Sequence, residues 1–162
     1  MPTDTVKPLL PSLLDRLIDL DPGTSREPPP ARHQVLREVK ASLRRDLESL
    51  LNTRARNLVW PATLAELEGS LAEYGLPDFT AASLGSGLDR ARFCEALRGV
   101  IERHEPRLAG VRVTSAEEGE GMDRTFRFKI EARLDIDPAP EPILFDSLVK
   151  PATGVFEVEG AA

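Results

Sequence analysis

Between Phe126 and Ile136 the chain alternates without a break: Phe126, Phe128, Ile130, Ala132, Leu134 and Ile136 are apolar, and the residues between them, Arg127, Lys129, Glu131, Arg133 and Asp135, are charged. A period of two places the first set on one face of a β-strand and the second on the other. Such a sheet has one wet face, and its dry face needs cover. The spacing predicts antiparallel neighbours: Val111 to Thr114 across an acidic loop from Glu117 to Asp123, and a second hairpin of Ile143 to Leu148 with Val155 to Val158 around Gly154.

Upstream the period is 3.6. Val35, Leu36, Val39, Leu43, Leu47, Leu50 and Leu51 form one stripe of a helix expected from about Arg32 to Leu51, with Asn52 and Thr53 at its end. Phe93, Cys94, Leu97, Val100 and Ile101 share a face of another, from about Asp89 to His104. A shorter helix is expected from Pro61 to Glu73, with Thr63 as cap and Gly75 as stop, and with Leu64, Leu67 and Leu71 inward. Helices first and strands last give an α+β domain, residues 32–160, with the N-terminal helices packed on one face of a C-terminal antiparallel sheet.

Residues 1–20 stand apart. Leu9, Leu10, Leu13, Leu14, Leu17 and Ile18 line one side of a short helix, and the proline-rich stretch 21–31 cannot continue it and favours an extended tether. The helix either folds back onto the core or docks into a partner's groove.

Composition narrows the function. With 162 residues the chain buries a core unaided, and Cys94, being alone, makes no intrachain bridge. Beside it only His33 and His104 are available, so no zinc set is expected, and no cofactor. A reducing, cytoplasmic setting fits, for no early segment reads as a signal peptide and none reads as a membrane span. A net charge of −6 argues against bulk attachment to nucleic acid. Between Arg26 and Arg56, however, eight basic residues face four acids, either as a solvated helix face or as a site for an acidic partner or nucleic acid. Phosphate loops, dinucleotide fingerprints, nucleophile elbows and zinc-protease helices are missing, and Ser86 between Gly85 and Gly87 reads as a helix-start loop, so no small-molecule substrate is expected.

Glu105-Pro106-Arg107 is the local oddity. Proline ends the helix and leaves a carboxylate at its negative end, where an acid is disfavoured by about 0.3–1 kcal/mol. Arg107 is the nearest compensating group, and the pair either locks the helix-to-sheet corner or faces a partner. A glycosidase acid at Glu105, with Asp78 or Asp146 across a cleft, is the enzymatic alternative; Trp60 and Tyr74 supply few sugar platforms for it.

Several segments in order resemble one family, the TssE subunit of the type VI secretion baseplate, similar to the lysozyme-like tail-wedge protein of contractile phages. They are Ser12-Leu13-Leu14-Asp15-Arg16-Leu17, Asp46-Leu47-Glu48 through Leu50-Leu51-Asn52-Thr53-Arg54, Tyr74-Gly75-Leu76-Pro77-Asp78-Phe79, Glu105-Pro106-Arg107-Leu108, Phe145-Asp146 and Thr153-Gly154. The resemblance implies a structural role beside the TssF and TssG subunits, under the contractile sheath whose first ring it helps to start, and no muralytic activity. It makes Glu105, Pro106 and Arg107 the family's hallmark.

Strand addition suits that role: an exposed sheet edge, expected in Arg124 to Ile136 or Val155 to Glu159, accepts arms of sheath subunits. Arg127, Lys129 and Arg133 then belong to the partner surface, or merely guard the edge. Leu13, Leu14 and Leu17 are the docking residues of the first helix. The rivals are a peptidoglycan-cleaving enzyme acting through Glu105 and a nucleic-acid binder using Arg44 and Arg45.

Overall fold

The computed structural model describes residues 12–18, 22–23, 31–56, 61, 63–67, 69–79, 86–116, 125–136, 139–150 and 153–161. The apolar stripes produce two long helices, α2 (Arg32–Asn52) and α3 (Gly87–His104), after a five-residue helix α1 (Leu13–Leu17). The alternating segments produce β1 (Leu108–Ser115), β2 (Phe126–Leu134), β3 (Glu141–Lys150) and β4 (Val155–Ala161). They form one antiparallel sheet in the order β1-β2-β3-β4. β2 keeps its period to the letter, buried and exposed residues alternating from end to end.

Both long helices lie on the dry face. Val39, Leu43, Leu47 and Leu50 of α2, with Phe93, Leu97 and Ile101 of α3, meet Phe128, Ile130, Leu134, Phe145 and Val158, all buried. Phe93 anchors the packing, its ring edge-on to Phe79 at 5.0 Å and stacked with Phe156 at 6.1 Å. The expected α+β architecture is therefore the observed one.

The helix expected over residues 61–73 is absent. Two 3-10 turns, Ala65–Leu67 and Leu71–Glu73, stand there, separated by Gly69 at φ +73°, and Leu71 is 85% exposed. Three leucines with no core to meet do not offset the cost of nucleating a helix. Further on, the chain passes so close to the end of α2 that a Cβ at Gly75, which has φ +114°, would lie 2.4 Å from the Thr53 carbonyl. That approach lets Leu76 exchange backbone hydrogen bonds with Thr53 and Ala55 at 2.8 Å each. The acidic loop 117–123 and most of the tether 21–31 lie outside the described residues. No described helix is long and apolar enough to cross a membrane.

Candidate functional site: a corner and two sheet edges

α3 ends where Pro106 withdraws its N–H, and β1 starts two residues later. Glu105 closes the helix with its own N–H on the Ile101 carbonyl at 2.8 Å, and its residue is only 5% exposed. Both carboxylate oxygens are taken by Arg107: Nε donates to Oε1 at 2.6 Å and Nη2 to Oε2 at 2.5 Å. Nη2 also reaches Oδ2 of Asp46 on α2 at 2.5 Å. Hydrogen bonds to Glu105, then to Asp46, push the Arg107 pKa upward against the opposing effect of burial. The guanidinium thus ties the end of α3 to α2, while the Arg107 backbone carbonyl accepts from Asp135 N–H just past β2 at 3.0 Å. With both oxygens forked, Glu105 is no acid facing a cleft, and Asp146 lies on the opposite, wet face of the sheet.

α1 does lie against α2, but with its polar side. Asp15 accepts from Ser12 Oγ at 2.6 Å, from the buried Ser42 Oγ at 2.5 Å and from Arg45 Nη2 at 2.5 Å. The two serine hydrogen bonds, with Arg45 adding its charge, hold the Asp15 carboxyl below the usual carboxylate range. Leu13, Leu14 and Leu17 consequently point away, 73%, 67% and 74% exposed. α1 thus folds back onto α2 through Asp15, while these three leucines stay off the core; Leu9 and Leu10 lie outside the described residues.

The sheet corrects the expected edge. β2 is paired on both sides, with β1 and with β3, so the segment containing Arg127, Lys129 and Arg133 is interior. Their own strand has no edge for these charges to guard. They stand instead on the wet face, exposed.

The true edges are β1 and β4, and they differ. On β4 the outward groups of Phe156 are both engaged: its N–H donates to Asn52 Oδ1 and its carbonyl accepts from Asn52 Nδ2, each at 2.9 Å. The Asn52 amide thus satisfies Phe156 as a neighbouring strand would. Arg44 Nη1 donates to the Val158 carbonyl at 3.1 Å. The expected acceptor segment Val155 to Glu159 is therefore largely closed by α2. Arg44 and Arg45, the cations of the nucleic-acid alternative, are engaged within the chain.

On β1 the hydrogen bond from Ala116 N–H to the Arg127 carbonyl at 2.9 Å fixes which residues face β2. By alternation Thr114 and Arg112 turn their backbone groups inward, and Val113 and Ser115 turn theirs out. Among the described residues nothing is bonded to those outward groups. They border a groove of about 600 Å³ whose other wall is α3, at Gly87, Arg90, Ala91, Cys94 and Glu95. Nothing in the sequence marks β1 as the open edge, since strand order depends on contacts between distant segments.

No curated protein matches the chain. A chain of the solved structure described as "The baseplate complex from the type VI secretion system" matches with 21% identity and a TM-score of 0.45, over 70% of this chain and 93% of that one. Residues 37–139, which run from α2 across the Glu105 corner and β2, match the family described as "Baseplate wedge protein gp25", and the chain belongs to that family.

Proposed function

We propose that this chain is a TssE-type subunit of a type VI secretion baseplate, a cytoplasmic structural part that starts the contractile sheath by accepting an extended arm of a sheath subunit along β1. Membership of the baseplate wedge family supports a structural role. The observation that carries the mechanism is the row of outward backbone groups on Val113 and Ser115, open beside a groove. Unpaired edges invite strand pairing, and a soluble protein normally blunts them. Here α2 blunts β4 and leaves β1.

The other surfaces take parts in the same assembly. Leu13, Leu14 and Leu17, turned outward by Asp15, form an apolar contact for a wedge partner of the TssF or TssG kind, on a helix leashed by the proline-rich tether. Glu105 works inside the corner, and the exposed Pro106 and half-buried Arg107 form its outer side. The Glu-Pro-Arg unit then fixes the direction in which β1 leaves α3, and with it the aim of the acceptor edge.

Ser115→Pro tests this cleanly. The substitution removes one outward N–H and no bond of the β1–β2 ladder, which Thr114 and Ala116 carry. Circular dichroism and melting temperature are expected to stay at the parent values while sheath formation in cells is lost. Normal sheaths with the variant as the only copy would overturn the mechanism.

A further inference from the structure

The two halves of the wet face carry opposite charge. Arg112, Arg127, Lys129 and Arg133 stand on β1 and β2, with Glu131 the only acid facing out among the described residues of those strands. Among the described residues no ion pair engages any of the four cations. On the other half, Asp146 of β3 lies directly opposite Glu159 of β4, and Glu157 completes an acidic patch partly offset by Lys150 at 2.7 Å.

A bulge carries the positive charge toward the open edge. The β1–β2 register shifts between Ala109 and Arg112, and Gly110 there has φ +64°. A Cβ at Gly110 would lie 3.4 Å from Arg133 Nη2, so the guanidinium of a β2 residue lies over the backbone of β1. Arg133 and Arg112 therefore both border the position an added strand would occupy on its wet side. On its dry side that strand would meet the groove wall at Ala91 and Cys94, beside Val113.

We infer that the β1 edge takes a segment of alternating chemistry: acidic side chains on the wet face beside Arg112 and Arg133, and small apolar ones on the dry face against Ala91 and Cys94. The inference rests on the strand addition proposed above and adds the identity of the incoming strand. Opposite charges placed across neighbouring strands stabilise the pair, and like charges oppose it. The same strand is repelled at β4 by Glu157 and Glu159, so charge and backbone capping select the same edge.

The net charge of −6 makes the test sharp, because long-range attraction alone favours a basic peptide. Two labelled peptides of about eight residues, one alternating Val with Glu and one alternating Val with Lys, are titrated against the full chain by fluorescence anisotropy, with amide exchange read at Val113 and Ser115. The Val/Glu peptide is expected to protect both amides and to bind about tenfold more tightly at low salt, with the difference shrinking as salt is added. The exposed double variant Arg112→Glu, Arg133→Glu is expected to reverse the preference. Equal binding of the two peptides, or a preference unmoved by the double variant, overturns the charge rule alone. Protection of neither amide by either peptide, with Ser115→Pro also harmless to sheath formation, overturns strand addition itself.

Discussion

Arg107 is the residue on which the corner depends. Its fork on Glu105 leaves no carboxylate oxygen for solvent, so removing it strands a buried charge, a loss larger than that of the same pair at a surface. Arg107 is itself about a third exposed, which moderates the cost. Arg107→Ala is expected to lose about 2–3 kcal/mol, or roughly 5–10 °C in melting temperature, and adding Glu105→Gln is expected to recover part of it. An unchanged melting curve for the single variant would remove the lock. Half of this was legible in the sequence. A carboxylate at the negative end of a helix asks for a cation, and a proline holds Arg107 at a fixed short offset from it. Asp46, which completes the site from 61 residues away, carries no local mark.

Among the elements, α1 shows what an amphipathic pattern leaves open. Leucines at helical spacing say that a face is sticky, not which body it meets, and here one carboxylate outweighs them in setting the orientation. Asp15 is faced by Ser12 on its own helix and by Ser42 and Arg45 from α2. Because its folded pKa lies below the ordinary Asp value, the docking energy is fully present above that ordinary value. It is lost as pH falls through the lowered pKa. Protection of the Leu13–Leu17 amides, taken relative to intrinsic exchange at each pH, is therefore expected to be highest at neutral pH and to fall on acidification. In Asp15→Asn it should be low throughout; full protection in that variant would show that something else holds α1. The strands were easier to read, because a period of two is a local property and survives whatever packs above it. The short segment 61–73 misled for the opposite reason: its leucines match a helix, and their environment supplies nothing for that helix to bury.

On the scale of the whole molecule, the helices cover one sheet face and, through two side chains, one sheet edge. Asn52 reads in the sequence as an ordinary helix end, and only the fold shows its amide bonded to Phe156. The variant Asn52→Ala, Arg44→Ala uncovers outward groups of β4 at a site already shaped to pair. It is expected to show more of a concentration-dependent larger species in sedimentation than the parent chain, with faster amide exchange at Phe156 in the dilute protein. Sedimentation identical to the parent, in a folded variant, would show that α2 bars the edge by bulk and that the two side chains are incidental.

A sheet with one flank capped by the chain's own side chains and the other bare among the described residues has a polarity: growth by backbone pairing has a single place to begin, beside β1, and is halted at β4.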